Sequence, residues 1–392
     1  MKKHYFALSV LSALASVGQA QNNVTFYGIL DEGVNYNSNA GGKRLYSLTS
    51  GGLQASRWGL RGAEDLGSGM KAVFVLENGF DVSTGKLGQG GLMFGRQAYV
   101  GVSGGVGTIT LGRQYDSVVD YVGPLESGDQ WASSMGAHPG DLDNLNNSYR
   151  TNNTIKYTSA NLAGLTFGGT YSMGGVAGNF TSNQIWSLGA GYVNGPLVLG
   201  VGYLNARTPA ANNGSMFGNN TSSSTASSVT TPVYSGFVSA NTYQVVALGA
   251  AYTFGAATIG ATYSNIRFMD LGAVASLNTK GYVGTATFNN AELNVKYQLT
   301  PTLLVGAAFD YTKGSDVSES NGATNPGAKY LQTALGVDYF LSKRTDMYVV
   351  GIYQSASGTG STGKPAVAAI NTQIASSSDR QTFLRIGMRH KF

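Results

Sequence analysis

The residues capable of covalent chemistry do not form a catalytic motif in this chain. The stretch GVSGG, Gly101 to Gly105, fits the G-x-S-x-G pattern of serine hydrolases. That pattern needs a strand that leads into a helix, so that the serine stands on a sharp turn. Here it falls in a predicted turn between two strands, and His138 and His390, the histidines beyond residue 20, belong to no motif. The sequence therefore does not predict an enzyme.

Patterns for metal and phosphate binding are incomplete as well. The stretch DLDNLNN, which begins at Asp141, resembles the start of a calcium loop but lacks its glycine and its terminal glutamate. The stretch GSGMKAVF, which begins at Gly67, is not followed by the Gly-Lys-Ser/Thr of a phosphate loop. We therefore expect no cofactor and no built metal site, and a loosely bound calcium ion stays an open alternative.

The amino terminus predicts export. Cationic Lys2 to His4 precede an apolar run from Tyr5 to Val17, and small Gly18 and Ala20 fit a cut after residue 20. We expect residues 1–20 to be a cleaved secretory signal peptide and residues 21–392 to form one domain. The run is too short to be a membrane-spanning helix.

The composition of the exported part excludes several classes of protein. Without cysteine it has no disulfide and no thiolate metal site. Beyond the signal, no apolar stretch approaches the roughly 18 residues of a membrane helix. Without Lys2 and Lys3, 23 Lys and Arg stand against 20 Asp and Glu, a balance too even for a typical nucleic-acid binder. The 56 glycines and 23 tyrosines favour a chain rich in strands and turns.

Segments of about ten residues that alternate in polarity recur along the whole chain, as in membrane barrels. The predicted strands are 24–35, 53–64, 70–80, 93–102, 106–115, 149–159, 165–173, 184–193, 197–204, 242–254, 256–265, 286–298, 303–312, 330–340, 345–353 and 382–392. These are sixteen strands, and connections rich in Gly, Pro, Asn, Asp and Ser alternate strictly between short and long. Such alternation predicts an antiparallel transmembrane β-barrel with short turns at one end and long loops at the other.

The two faces of the strands predict a wet interior. In AELNVKY, apolar side chains alternate with Glu292 and Lys296, and in RTNNTIKY they oppose Lys156. Charges on an inner face are tolerable when that face lines water, and sixteen strands close around an aqueous channel. In the last strand, FLRIGMRHKF, the same period places Arg385 and Arg389 toward the channel water and the apolar residues toward lipid.

Five stretches resemble the general porins of Gram-negative bacteria, in the branch found in Burkholderia, Comamonas and Neisseria relatives. They are VTFYGILDEGV, SRWGLRGAEDLGSGMKAVFVLENGFD, GRQAYVGVSGGVGTITLGRQYD, YRTNNTIKYTS and GMRHKF. The resemblance implies an outer-membrane homotrimer of barrels, surrounded by lipid and lipopolysaccharide, with a third loop folded inside each barrel. Residues 116–148 occupy that third position. It also implies that Phe392, at the carboxyl terminus, is read by the outer-membrane assembly machinery.

The same resemblance implies a pore constriction. Its basic wall would comprise Arg57, Arg96 and Arg150 by motif, and Arg61 shares the parity of Arg57. The opposing acids on the loop transfer only by location, because the PEFGG-like stretch of enterobacterial members is absent. They are Asp120, Glu126, Asp129, Asp141 and Asp143. We expect passive diffusion of ions and small hydrophilic solutes, with a mild preference for anions.

Arg113 has two interpretations. It shares parity with Ile109 and Leu111, which points it outward near the end of its strand. There it would contact a neighbouring subunit, unless a bulge turns it inward.

Two other functions stay open at this stage. A channel specific for sugars or organic anions would need an aromatic track, for which Trp131 is suitably placed on the third loop. A surface adhesin or soluble β-sandwich would leave the alternation of loop lengths without a cause.

Overall fold

The computed structural model describes residues 23–208, 216–217 and 229–392. Within them, sixteen antiparallel strands each pair with their neighbour in sequence. They are β1 (Asn23–Ala40), β2 in two parts (Lys43–Ser50 and Arg57–Gly67), β3 (Met70–Gly79), β4 (Gln97–Gly104), β5 (Gly107–Gln114), β6 (Thr151–Ser159), β7 (Leu165–Ser172), β8 (Ile185–Asn194), β9 (Leu197–Arg207), β10 (Thr242–Phe254), β11 (Ala257–Met269), β12 (Ala286–Thr300), β13 (Leu303–Gly314), β14 (Ala328–Phe340), β15 (Thr345–Gly358) and β16 (Arg380–Lys391). The predicted signal peptide lies outside the described residues.

The last strand closes the barrel against the first. The register runs from Ile29 opposite Lys391 to Asn37 opposite Phe383. Past the end of β16, Phe392 and Gly28 exchange both backbone hydrogen bonds, each 3.1 Å long. The predicted closed barrel of sixteen antiparallel strands is therefore confirmed. Among the described residues, no helix has the length and apolarity to cross a membrane.

The second strand departs from the prediction. We expected one strand at 53–64 after a long connection, but a tight turn at Gly41 and Gly42 starts β2 at residue 43. Residues 51–56, which we call the β2 interruption, then leave the ladder before pairing resumes at Arg57. Gly51 adopts a φ of 82°, a conformation that favours glycine.

The alternation of faces is as predicted. In β12, Leu293 is 60% exposed on the outer surface, whereas Glu292 and Asn294 are buried on the inner one. The outward apolar side chains suit lipid, and the inner face carries the polar groups.

The chain between β5 and β6 contacts this inner face. It contains helices α1 (Ser117–Tyr121) and α2 (Ser127–Gln130) and 3₁₀ turns at Gly123–Leu125, Ser134–Gly136 and Pro139–Asp141. Glycines on the wall make room for it, since a Cβ at Gly202 would lie 2.8 Å from Val118 and one at Gly249 would lie 2.6 Å from Leu125.

Trp131 is a further anchor of this segment. It is 4% exposed, and its ring lies against Gly306 of β13 and Gly336 of β14, where a Cβ would come within 2.3 and 2.6 Å of it. The indole therefore needs glycine at both wall positions.

Outside the barrel wall, three short strands form a separate sheet. They are Tyr282–Val283, Val317–Glu319 and Thr324–Asn325. An aromatic core that includes Tyr234 and Phe237 joins the surrounding loops.

We expect Gly306→Ala to loosen the segment between β5 and β6, because the added methyl overlaps the Trp131 ring. Overpacking of this kind costs about 1–3 kcal/mol, which guanidinium unfolding of the detergent-folded protein measures. Gly351→Ala is the matched control, since a Cβ there meets nothing closer than Leu384 at 3.8 Å. Equal unfolding midpoints for the two variants would contradict this account of the anchor.

Candidate functional site in the channel lumen

The interior of the barrel contains a cavity of about 1040 Å³, and three arginines line it: Arg57, Arg96 and Arg150. Arg57 begins the second part of β2, Arg96 immediately precedes β4, and Arg150 immediately precedes β6. All three therefore stand where a strand meets a connection. Antiparallel neighbours bring these strand ends to one level of the wall.

Glu77 of β3 holds two of these arginines. Its carboxylate accepts a 2.7 Å hydrogen bond from Arg96 Nε and lies 3.5 Å from Arg57 Nε. Tyr27 also donates to it, at 2.9 Å. A buried carboxylate between two guanidinium groups fixes both side chains while cancelling one of their charges.

Our sequence reasoning missed Glu77. Its strand carries Val73 and Val75 on the same face and apolar residues on the other, so polarity does not alternate there. Strand pairing could have identified Glu77, because it lies opposite Gly59, two residues after Arg57 on the neighbouring strand.

The third arginine has no acidic partner in the described part of the chain. The guanidinium of Arg150 lies over the ring of Tyr115, 5.7 Å from its centre, and donates weakly to the carbonyl oxygen of Ser148 at 3.4 Å. Tyr115 in turn accepts a 3.0 Å hydrogen bond from Arg96. An aromatic face supports a cation without neutralising it, so the full charge of Arg150 acts on the cavity.

Of the five acids expected on the loop, Asp129 alone is both exposed and part of the described cavity lining. Asp120 forms an ion pair with Lys156. Asp141 is buried and accepts hydrogen bonds from the backbone amides of Asn146 and Ser148. The remaining two acids, Glu126 and Asp143, are buried around His138.

His138 is enclosed by carboxylates from the loop and the wall. Its Nδ1 lies 2.7 Å from Asp143, and its Nε2 lies 3.9 Å from Glu126, 3.8 Å from Glu292 and 3.7 Å from Asp310. Burial lowers the pKa of His138, but Asp143 and Glu126 outweigh this and hold the pKa well above its usual range. The imidazolium thus anchors the loop to β12 and β13 through charge.

The pKa values of Glu126 and Asp143, two partners of His138, are shifted in opposite directions. Burial raises the pKa of Glu126 well above its usual range, although His138 opposes the shift. For Asp143 burial acts the same way, but the imidazolium outweighs it and holds the pKa below its usual value. Glu292 is tied to the loop directly, because the Ser127 amide and hydroxyl donate to it at 2.8 and 2.5 Å.

Three further predicted lumen residues lie away from the cavity. Arg61 is exposed, with its guanidinium 5.3 Å from the centre of the Tyr27 ring, and does not line the described cavity. Lys296 donates to Gln130 of α2 at 2.7 Å. Lys156, besides Asp120, donates to a backbone carbonyl at 3.2 Å.

Arg385 and Arg389 do not face channel water as we expected. Arg385 is completely buried and pairs with Asp31, and Arg389 is 6% exposed and pairs with Asp346 at 2.8 Å. The parity was correct, but neighbouring acids and the β2 interruption cover these side chains.

The other two predicted sites lie at strand ends. Arg113 lies within the register shift between Gly112 and Gln114, and it donates to the Gly95 carbonyl at 2.8 Å and to Asn152 at 2.5 Å. Phe392 is partly exposed, and its ring centre lies 5.5 Å from that of Phe26 on the outer surface.

A closed barrel with an apolar outside and a charged cavity inside defines a transmembrane β-barrel channel. The chain belongs to the Gram-negative porin family, whose profile matches residues 7–359. An outer membrane porin protein of Bordetella pertussis is 30% identical over 382 residues, which cover 90% of this chain and 94% of the relative. The protein is therefore an outer-membrane porin, and members of this family are channels rather than enzymes.

Solved structures agree on the fold. An anion-selective porin from Comamonas acidovorans superimposes with a TM-score of 0.72 at 23% identity, covering 95% of this chain and all of that chain. The trimer form of OmpT, an outer membrane protein of Vibrio cholerae, reaches a TM-score of 0.66 at 18% identity, covering 95% of this chain and 99% of that chain. The family profile and the Bordetella pertussis relative confirm the family resemblance predicted from the sequence.

The enclosure of His138 predicts that alkaline pH weakens the anchoring of the loop. His138 and Glu126 both have raised pKa values, so the stability that each contributes through its bound proton is lost as the pH rises through the folded-state pKa. Glu126→Gln keeps the oxygen that accepts the His138 amide at 2.8 Å but cannot ionise.

We expect the open-channel current noise of the wild type to increase as the pH is raised from neutral into the alkaline range, and Glu126→Gln to reduce that increase. Glu64→Gln, which changes an exposed carboxylate in the second part of β2, is the control and should retain the wild-type pH dependence. An identical pH dependence in all three proteins would refute a role for this buried cluster.

Proposed function

We propose that this protein is a homotrimeric general diffusion porin whose constriction is lined by Arg57, Arg96 and Arg150 and favours anions mildly. The observation that carries this proposal is the charge of the cavity. Among the described residues that line it, these three arginines stand against two acids, Glu77 and Asp129.

The excess of basic over acidic side chains in the cavity lining acts on ions through an electric field across the lumen. Guanidinium groups stay protonated at neutral pH, so the basic wall keeps its charge there. Glu77 offsets one charge and keeps Arg57 and Arg96 in place, whereas Arg150 is not offset. Asp129 faces the same water, which keeps the net preference for anions small.

The segment at 116–148 acts in this proposal as the element that narrows the lumen. The contacts of Val118, Leu125 and Trp131 with the glycine-lined wall support this role, as does the direct hydrogen bonding of Ser127 to Glu292. A connection of this length inside a compact protein needs a function, and narrowing the channel supplies one.

The remaining features of the proposal rest on the family and on sequence. They are cleavage after Ala20, assembly as a trimer in contact with lipopolysaccharide, recognition of Phe392 by the assembly machinery and a subunit contact near Arg113. The trimer form of the Vibrio cholerae protein supports the trimer by analogy of fold. In a subunit contact, the hydrogen bond from Arg113 to the Gly95 carbonyl would hold the arginine side chain in a fixed position.

A channel specific for sugars or organic anions was the alternative. Its best candidate for an aromatic track, Trp131, is buried against the wall instead of lining the cavity. No observation in the described residues favours this alternative.

Single-channel recordings distinguish the two functions. A general diffusion porin gives large current steps that are linear in voltage, and added sugars leave them unblocked. Saturable block by a sugar or an organic anion at millimolar concentration would contradict the proposal.

The charge balance also predicts the effect of Asp129→Asn. Removing the exposed carboxylate should increase the anion-to-cation permeability ratio at least about twofold, since a unit charge roughly 8 Å from the ion path changes the energy of an ion by about 0.5 kcal/mol in water. Reversal potentials across a potassium chloride gradient measure the ratio. Asp316→Asn, an exposed acid of another loop that does not line the described cavity, is the control and should leave the ratio unchanged.

A further inference from the structure

The β2 interruption forms part of the wall of the cavity. Residues Gly51 to Ala55 line the cavity, and Arg57 follows directly after the interruption. The side chain of Arg57 reaches back to the interruption, where its Nη1 donates to the carbonyl oxygen of Ala55 at 3.2 Å. The position of the β2 interruption therefore helps to determine the position of the Arg57 guanidinium group.

One residue of β1, Asp31, holds the interruption along its length. Its carboxylate accepts hydrogen bonds from the amides of Gly52 and Gln54, both 3.0 Å long. Its backbone amide donates to Ser56 Oγ at 3.0 Å, and its carbonyl oxygen accepts from the amide of Gly51 at 2.8 Å. Without these bonds, the amides that leave the ladder would lack their partners.

Arg385 of β16 holds Asp31 in turn. All five of its guanidinium N–H donors have acceptors: Tyr348 Oη at 2.7 Å, Asn35 Oδ1 at 2.9 Å, Thr49 Oγ1 at 2.8 Å, the Thr49 carbonyl at 2.9 Å and Asp31 Oδ1 at 3.2 Å. Tyr348 also donates to Asp31 at 2.6 Å. Asp31 and Arg385 are both fully buried, so each needs the other as its counter-charge.

The fit around this pair is close. A Cβ at Gly52 would lie 2.1 Å from Tyr348 Oη and 2.2 Å from Arg385 Nε. On its other side, the carbonyl oxygen of Gly52 accepts a 3.1 Å hydrogen bond from the amide of Ser134. The same residue that touches the buried pair thus supports the segment between β5 and β6.

We propose that Asp31 and Arg385, the buried ion pair at the junction of the first and last strands, are positioning residues for ion selectivity. They hold the β2 interruption against the lumen, and the interruption sets the place of Arg57 and supports the loop at Ser134. Neither residue lines the described cavity, so their effect on ions is indirect. This inference rests on the proposed role of Arg57 in the constriction.

The test compares Asp31→Asn with Asp346→Asn. Asp346 is also buried and pairs with an arginine of β16, Arg389, but among the described residues no hydrogen bond or ion pair joins it to the β2 interruption. Each variant removes a buried carboxylate that pairs with an arginine of β16. Both variants should therefore lower the unfolding midpoint. Asp31→Asn alone should also change the reversal potential across a potassium chloride gradient, lowering the anion-to-cation permeability ratio about twofold.

The sign separates positioning from direct electrostatics. Loss of a negative charge near the lumen would by itself favour anions, whereas displacement of Arg57 favours cations. A fall in the ratio for Asp31→Asn therefore supports positioning. An unchanged or increased ratio, or an equal fall in Asp346→Asn, would overturn it.

Gly52→Ala provides a variant that alters no charge, in case Asp31→Asn assembles poorly. Its methyl displaces the interruption from the buried pair, and the ratio should fall as it does in Asp31→Asn. Wild-type selectivity in Gly52→Ala would also overturn the inference. The proposed function fails separately, because the sign of the wild-type reversal potential tests it without any variant.

Discussion

Lipid cannot hydrogen-bond to the backbone, and the rest of this structure depends on that constraint. A sheet inside the hydrocarbon region has to close so that no edge is left unpaired. Closure here is the pairing of β16 with β1 from Ile29 to Asn37, extended by the exchange between Gly28 and Phe392. Once the sheet is closed, the outer face of the strands in the hydrocarbon region is turned toward lipid, and the inner face holds the polar groups there.

The inner face uses its charges in two ways. Most of them are paired and buried, as in Asp31 with Arg385 and in the carboxylates around His138. Such pairs fix the loop and the β2 interruption in defined places at a cost in desolvation. The charges that remain open to the cavity are few, and arginines exceed acids among those described. The ion preference that we propose thus comes from the net positive charge of the cavity, because most of the acids are paired in buried contacts.

The sequence predicted the number of strands because segments of alternating polarity, separated by turns and loops, recur along the whole chain, so that errors in single strands did not change the count. It misplaced the start of β2, because residues 43–50 are mostly polar and because the contacts that shape residues 51–56 come from Asp31 on another strand. The sequence also did not show which acids of the loop are buried. Glu126 and Asp143 are buried by contact with His138 and with wall residues more than a hundred positions away, which local pattern cannot reveal.

The central claim is that the cavity keeps a small excess of positive charge. The reversal potential of the wild-type channel, reconstituted in a planar bilayer of neutral lipid across a tenfold gradient of potassium chloride, tests it most directly. The account predicts a potential whose sign shows chloride to be more permeant than potassium. A potential of the opposite sign, showing potassium to be more permeant, would contradict it.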